Sequence, residues 1–158
     1  MSIKKNLAVS NGANAFISIE DMAVYNAAAA AATPGKIDLV YLFRAAPTTF
    51  THALVSPAAD AAYLPGVTLP AGLNRSTKLR KVFNLQDRNL ANLQFGIYVD
   101  DVDLINVDMV DMPNYAIGLR AEAGVWVETA DKKYRAYIFV NSINAAGTAV
   151  ISMLRYTL

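Results

Sequence analysis

The chain contains no cysteine, which excludes disulfides, thiolate metal sites and cysteine nucleophiles. It also lacks a charge imbalance, because 14 Lys and Arg residues face 13 Asp and Glu residues, for a formal net charge of +1. Nucleic acid and anionic membranes are therefore not expected as partners, since a nearly neutral chain attracts them weakly. Little charge repulsion separates copies of the chain, which suits a subunit of an assembly.

Long hydrophobic runs are missing as well. No stretch reaches the roughly 20 apolar residues that a membrane-spanning helix needs, so we expect no membrane insertion. The start, Met-Ser-Ile-Lys-Lys-Asn-Leu-Ala-Val-Ser-Asn-Gly, has an apolar run too short and too polar for a signal peptide. Without cysteine there is no lipid-attachment site. The sequence as written predicts a soluble chain, unless a leader precedes Met1.

Motifs for catalysis are scarce. The single histidine, His52, lies among threonines, and no Gly-x-Ser-x-Gly motif marks a nucleophile. A catalytic base needs a nucleophile and an orienting acid beside it, so we interpret His52 as a loop histidine without catalysis. The aspartates of residues 100–111 alternate with apolar residues and lack the glycine of a calcium loop, which indicates a solvated polar face. We expect no enzyme activity, no cofactor and no metal.

The last third of the chain carries the strongest structural signal. Three β-rich runs, residues 124–129, 134–140 and 148–156, are separated by Ala-Asp-Lys-Lys and by Asn-Ser-Ile-Asn-Ala-Ala-Gly. Strands bounded by such turn residues predict a three-strand antiparallel meander over residues 124–157. Lys132 and Lys133 are expected in its first turn.

The first half predicts fewer regular elements. Residues 36–43, Lys-Ile-Asp-Leu-Val-Tyr-Leu-Phe, predict a central strand buried on both faces, in which Asp38 pairs with a base or accepts a backbone N–H. Residues 3–9 and 15–19 are shorter β candidates. Residues 20–32 begin with two acids and end with six alanines, which predicts a helix of three turns closed by Thr33-Pro34-Gly35. A low-complexity linker is the alternative.

Prolines dominate residues 44–75, with Pro47, Pro57, Pro65 and Pro70 in one stretch. Because proline interrupts helices and sheet ladders, a long Pro-rich loop is expected, with one short helical turn near residues 58–63. Loops of this length tend to be functional or to pack on a partner. Residues 85–93 have helical composition, and residues 97–112 fit a helix or an irregular segment ended by Pro113.

These patterns together predict a single, mainly β domain over residues 1–158, with an α+β minority. We expect an antiparallel β-sandwich-like fold with one or two short helices. Residues 1–12 would form an N-terminal arm, residues 44–75 the Pro-rich loop and residues 124–157 the meander.

Two groups of residues are candidates for an interface. The densest basic cluster is interpreted as a solvated helix face or a subunit contact, with phosphate or a glycan carboxylate as alternatives. It lacks a flanking aromatic platform, so its signal for nucleic acid is weak. Aromatic residues of the meander are expected in the core or an interface, with sugar stacking as the alternative. The basic residues are Arg75, Lys78, Arg80, Lys81 and Arg88, and the aromatic residues include Trp126, Tyr134 and Tyr137.

Several segments resemble putative surface proteins of Bacteroidetes bacteria. They are Lys-Ile-Asp-Leu-Val-Tyr followed by Ser56-Pro57, then Asn-Arg-Ser-Thr-Lys at residues 74–78, and Val-Glu-Thr-Ala-Asp-Lys-Lys-Tyr-Arg-Ala-Tyr-Ile-Phe-Val-Asn-Ser-Ile at residues 127–143. The segments keep the same order over about two thirds of the chain. The resemblance implies a β-rich, sandwich-like domain displayed outside the cell.

Such surface proteins normally carry a signal peptide and a lipid-attachment cysteine, and this sequence shows neither. A domain of this type made without an export signal suggests a bacteriophage of those hosts. Our first hypothesis is a non-enzymatic virion component, an auxiliary or decorating capsid protein or a head fibre subunit, which packs against its own copies and other virion proteins. The alternative is a binding module of the bacterial cell surface that recognises glycan or protein.

Overall fold

Two five-stranded antiparallel sheets form the body of the domain in a computed structural model that describes residues 1–81 and 88–158. The strands in chain order are β1 Ser2–Ser10, β2 Phe16–Ser18, β3 Ala23–Tyr25, β4 Leu39–Arg44, β5 Thr51–Val55, β6 Lys78–Lys81, β7 Tyr115–Leu119, β8 Gly124–Glu128, β9 Tyr134–Ile143 and β10 Thr148–Thr157. Sheet A has the order β1-β10-β9-β8-β6, and sheet B has the order β3-β2-β4-β5-β7. The mainly β, sandwich-like fold that the sequence predicts is confirmed.

The main core lies between the two sheets. Successive side chains of a strand point to opposite faces, so every second residue of a strand faces the partner sheet. In sheet A these inward residues include Val125, Val127 and Ile138, and in sheet B they include Leu39 and Leu54, all buried. The inward faces thus supply a continuous apolar layer.

Helical and irregular segments cover both outer faces. The short helix α1 Ala27–Ala32 and residues 57–73, which include a 3₁₀ turn at Ala61–Tyr63, pack on the outer face of sheet B. Sheet A is covered by α2 Arg88–Leu93, a π-helical turn at Gln94–Tyr98 and α3 Asp101–Asn106, which we call the helical layer. No helix of residues 1–81 or 88–158 combines the length and the apolar character required to cross a bilayer.

The predicted meander and the predicted central strand are confirmed. Strands β8, β9 and β10 are neighbours in sheet A, with Lys132 and Lys133 in the turn between β8 and β9. Strand β4 occupies the middle of sheet B, and its first four residues are buried. Both segments have strong local strand signals, so sequence and tertiary structure agree there.

The three-turn helix expected over residues 20–32 is wrong at its start. Residues 23–25 instead pair with β2, after a turn in which Met22 has a φ of +50°. The helix begins only after Asn26, whose side chain accepts the Ala29 N–H at 2.9 Å and so caps the first turn. The end at Thr33 is as predicted. Pairing with β2 therefore shortens the helix to the alanine run.

The expected Pro-rich loop and the expected N-terminal arm each contain a strand, and the β candidate at residues 3–9 is confirmed. Residues 51–55 of the Pro-rich loop form β5, which pairs with β4 on one side and β7 on the other, because the flanking prolines lie outside the strand. The helical turn near residues 58–63 is confirmed. Residues 2–10 of the expected N-terminal arm pair with β10 of the same chain as an edge strand of sheet A. The arm therefore belongs to the sheet and does not extend away from it.

The remaining helical expectations are met in part. Of residues 85–93, the last six form α2, and residues 82–87 lie outside the described part of the chain. Residues 97–112 contain α3, which begins with a capping box made by Asp100 and Asp103. Irregular structure follows α3 up to Pro113.

Candidate functional site

Arg75 lies inside the domain and links its two sheets. Its Nε lies 3.1 Å from an oxygen of Asp38, next to β4, and a terminal nitrogen lies 2.9 Å from an oxygen of Asp131, in the β8–β9 turn. The other Asp38 oxygen accepts the Ile19 N–H at 2.8 Å. Asp38 thus both pairs with a base and accepts a backbone donor, as predicted. This geometry gives Arg75 a structural role within one copy of the chain.

The two carboxylates of this cluster have opposite pKa shifts. Burial raises the pKa of Asp38 to about 6, although the Ile19 N–H and the Arg75 guanidinium partly oppose that rise. Partial burial opposes ionisation of Asp131 too, but hydrogen bonds from Thr129 and Lys133 and the charge of Arg75 lower its pKa to about 2. Asp38 is therefore the carboxylate of this cluster that depends most on its cationic partner.

The helix face expected for the basic cluster is wrong for Lys78, Arg80 and Lys81, which lie on a strand, whereas Arg88 is the first residue of α2. Lys78, Arg80 and Lys81 belong to β6, at the edge of sheet A. Arg80 donates to the carbonyl of Asp108 at 3.0 Å, and Lys81 donates to the carbonyl of Ile117 at 3.0 Å. Within residues 1–81 and 88–158, each of the two side chains donates to one carbonyl, and both groups carry further N–H donors.

The aromatic residues of the meander are divided between the two faces of sheet A. Tyr137 is fully buried beneath the helical layer and donates to the carbonyl of Ala91 at 3.1 Å. Trp126 packs against Tyr137 with ring centroids 4.8 Å apart. Tyr134 lies on the opposite face, with the Arg155 guanidinium 4.9 Å from its ring centre. The three rings therefore do not form one exposed stacking surface.

His52 lies on β5 and is buried. The loop position expected from the sequence is therefore wrong. Its Nδ1 lies 2.6 Å from the Tyr41 hydroxyl, and burial lowers its pKa, which favours the neutral ring. A neutral His52 accepts a hydrogen bond from the Tyr41 hydroxyl at Nδ1. The pair therefore satisfies two buried polar groups within sheet B.

We expect Tyr41→Phe to lower the free energy of unfolding by about 1–3 kcal/mol, because it leaves His52 Nδ1 buried without a donor. Urea denaturation at pH 7.5 measures the change. Tyr25→Phe is the matched control, since Tyr25 makes its hydroxyl contact with Asp21 at the surface. If both variants lost the same free energy of unfolding, the loss in Tyr41→Phe could not be assigned to the unpaired His52 Nδ1.

The helical layer is fixed to sheet A by an arginine of β9. Arg135 donates to Glu128 at 2.9 Å and to the carbonyl of Leu104 at 3.1 Å, and it also contacts the carbonyl of Ile105. A cation at a helix C-terminus binds the free carbonyls there and interacts favourably with the negative end of the helix dipole. Leu104 is fully buried in the same contact. These contacts determine which face of α3 remains exposed.

Large apolar side chains are concentrated on the exposed side of this layer. Val102 and Ile105 are three residues apart on α3, so they are neighbours on one helix face. Of the eight exposed large hydrophobic residues in the described chain, five lie within residues 93–110. We call these five the apolar patch, with their exposed fractions: Leu93 41%, Tyr98 60%, Val102 59%, Ile105 43% and Val110 67%.

Charge is distributed unevenly around this patch. Residues 89–119 contain five aspartates and no lysine, arginine, histidine or glutamate. By contrast, residues 1–19 contain Lys4 and Lys5 and no acid. Both lysines are exposed on β1. The acidic-apolar surface and the basic strand are therefore electrostatically complementary.

Two cavities lie along the side of the sandwich where the edge strands β6 and β7 approach each other. One, of about 850 Å³, is lined by β6, α3 and Trp126, and the other, of about 1220 Å³, is lined by β5, β7 and the β9–β10 turn. Lys81 lines both cavities. We call the two cavities together the side groove. No group of three or more acidic or histidine side chains within residues 1–81 and 88–158 is arranged to hold a metal ion.

Among the predicted interface residues, the structure brings together Arg80, Lys81 and Trp126, which line the same cavity. Arg75, Tyr134 and Tyr137 have internal contacts, and Lys78, on the same strand as Arg80, is not one of the residues that line this cavity. Sequence reasoning missed the apolar patch. Its signal was the spacing of Val102 and Ile105 within a helix.

Comparison with known proteins gives a family but no activity. A crystal structure of a DUF4466 family protein from Parabacteroides merdae ATCC 43184 is 37% identical, with a TM-score of 0.83 over 99% of this chain and 54% of that chain. The chain thus spans about half the length of that relative, and the likeness to a Bacteroidetes-type domain is confirmed. No curated protein matches. Residues 1–158 match the family described as Domain of unknown function (DUF8576), and the chain belongs to that family.

Proposed function

We propose that this domain is a non-enzymatic assembly module that packs against a second copy of itself. The observation that carries the proposal is the apolar patch, because five exposed large hydrophobic side chains occur within residues 93–110, in the helical layer and the turn that follows it. Contiguous exposed apolar surface marks interaction sites in soluble proteins.

Charge complementarity favours a second copy as the occupant. The acidic residues around the patch suit a partner surface that combines apolar and basic groups. Strand β1 offers such a surface, since Ile3 is 55% exposed and Lys5, two residues further along the strand, is exposed as well. Ile3 pairs with Leu154, whose side chain packs against the helical layer, so Ile3 faces the same side of sheet A as the patch. A two-fold arrangement then places the patch of each copy on β1 of the other.

The edge of β1 favours contact through side chains over pairing of the strand edges. The ladder between β1 and β10 shifts register between Lys4 and Leu7, and Asn6 has a φ of +59°. Bulges and lysines on an edge strand discourage edge-to-edge hydrogen bonding. The proposed interface therefore uses the exposed side chains of β1 and leaves both sheets intact.

The proposed location is a virion of a bacteriophage that infects Bacteroidetes hosts, where repeated copies of one chain contact each other and other virion proteins. The near-neutral charge of the chain suits an array of repeated copies, and its likeness to a Bacteroidetes-type domain supports the choice of host. The bacterial cell surface is the alternative location, and self-association is proposed for both.

We expect Val102→Asp with Ile105→Asp to weaken self-association at least about tenfold, because two charges would be buried in the contact. Sedimentation velocity over a range of concentrations measures the change. The matched control is Thr68→Asp with Ala71→Asp, which places two carboxylates at exposed positions of the segment that covers sheet B. A wild-type chain that remains monomeric at high concentration would rule out the proposal.

The proposed attraction between the lysines of β1 and the acidic surface around the patch is tested by a separate matched pair of variants. Lys4→Glu with Lys5→Glu should weaken association, and the weakening should decrease in high salt, because exposed charges are screened. Lys132→Glu with Lys133→Glu makes the same charge change in the exposed β8–β9 turn and should leave association unchanged. Equal effects of the two pairs would show that net charge, and not β1, controls association.

A further inference from the structure

We propose that the side groove binds an acidic oligosaccharide, independently of self-association. The groove consists of two cavities that share Lys81, and its lining combines one half-buried indole with hydroxyl, amide and basic groups. Each of these features corresponds to a chemical part of a sugar acid polymer.

The first cavity has the composition of a ligand site. Its volume of about 850 Å³ lies in the range of small-molecule pockets, which are largely apolar with a few placed polar groups. Trp126 supplies an apolar ring against which the C–H face of a pyranose can pack. Gln94 and Asn106 supply amide groups, and one oxygen of Asp103 already accepts the Asp100 N–H. The amides can both donate to and accept from sugar hydroxyls.

The second cavity extends the first and is more basic. Lys81 and Arg120 line it, and the lining residues within the described chain include no carboxylate. Thr48, Thr49 and Thr51 add hydroxyl groups on its rim. Lys81 lines both cavities, so a linear ligand that extends past Lys81 along β6 and β7 can contact both. A single sugar would occupy only part of such a groove, so the geometry favours an oligomer.

The charges select an acidic ligand over a neutral one. Among the lining residues that the structure describes, Arg80, Lys81 and Arg120 stand against one carboxylate, that of Asp103. In the described part of the chain, Arg80 and Lys81 each donate to one backbone carbonyl, and their further N–H groups can contact a sugar carboxylate. The repeating carboxylates of a uronic acid polymer match basic groups spaced along a groove. An acidic peptide matches the charge but offers no pyranose face for Trp126.

The test uses the fluorescence of Trp126, which is the only tryptophan of the chain. The probe is a tetramer of galacturonic acid, and the neutral comparison is maltotetraose. We expect a saturable change in Trp126 emission with the acidic tetramer and a binding constant at least about tenfold weaker for the neutral one, since charged hydrogen bonds are lost. Calorimetry of the same titration provides a second readout.

Matched variants locate the binding. Arg80→Gln with Lys81→Gln should weaken binding at least about tenfold, whereas Lys132→Gln with Lys133→Gln should leave it unchanged. Trp126→Phe, followed by calorimetry, should weaken binding while the domain stays folded by circular dichroism. The proposal is overturned if the acidic tetramer shows no saturable binding, or if both lysine-containing pairs weaken it equally. Equally tight binding of a glutamate tetrapeptide would replace the saccharide with a general anionic ligand.

Discussion

Gly124→Ala should lower the free energy of unfolding by about 3 kcal/mol or more, the upper end of the range for overpacked cores. A Cβ at position 124 would lie 1.9 Å from the hydroxyl oxygen of Tyr137 and 2.5 Å from the ring carbon that carries it. Tyr137 cannot move away easily, because its hydroxyl is bonded to Ala91 beneath the helical layer. Urea denaturation followed by circular dichroism measures the loss.

Gly35→Ala is the matched control for this substitution. A Cβ at position 35 would meet nothing within 4 Å, so we expect a change within about 0.5 kcal/mol. In a Tyr137→Ala background the space above Gly124 is open, and Gly124→Ala should then cost much less than in the wild type. An equal loss of unfolding free energy in both backgrounds would show that contact with Tyr137 is not the reason why position 124 requires glycine.

Arg75→Met should also be severely destabilising at neutral pH, by about 3–5 kcal/mol, the usual result of removing one partner of a buried ion pair. Asp38, whose side chain is 2% exposed, would then either carry an uncompensated charge or take up a proton on folding, and both lower the stability at neutral pH. The double variant Arg75→Met with Asp38→Asn should recover part of the loss, because no uncompensated charge then remains. Arg44→Met is the control, since Arg44 is exposed.

The loss caused by Arg75→Met should depend on pH in a definite direction. The folded-state pKa of Asp38, about 6, exceeds its ordinary value of 3.8, so the folded protein binds a proton that the unfolded chain releases. The contribution of this group to stability is therefore present at low pH and lost as pH rises through about 6. Without Arg75 that pKa rises further, so the wild type and the variant should differ most near pH 8 and least near pH 5.

Asp131 does not confound this comparison. Its pKa of about 2 lies below 3.8, so its contribution to stability is present above about pH 4 and lost only as pH falls towards 2. Measurements from pH 5 to pH 8 therefore report on Asp38 alone among these two carboxylates. A difference between wild type and Arg75→Met that stays constant from pH 5 to pH 8 would contradict the buried-charge explanation.

The fold was predictable where local signals decide it. Turn residues and alternating apolar residues predicted the meander, and the run ending at Phe43 predicted the middle strand of sheet B. Strand β5 was missed, although Pro47 and Pro57 lie on either side of Thr51–Val55 and could have been read as its limits. Asn26 directly before six alanines was likewise a cap signal for the true start of α1.

The candidate surfaces were less predictable because they depend on contacts between distant parts of the chain. Within α3, Leu104 is buried and Val102 and Ile105 are exposed, and packing on Tyr137 and Arg135 decides this. The side groove exists only because β6 and β7, from different sheets, meet along one side. Residue type suggested Arg80, Lys81 and Trp126 as contacts, but only the fold shows that they share a cavity.

The most direct test of the assembly proposal is a dilution series of ¹H–¹⁵N correlation spectra of the wild-type chain. The proposed interface predicts that concentration-dependent shifts concentrate in residues 93–110 and in the first residues of β1. The same residues should stop shifting in Val102→Asp with Ile105→Asp. Shifts that concentrate instead on the segment covering sheet B, or spectra that do not change with concentration, would contradict self-association through the apolar patch.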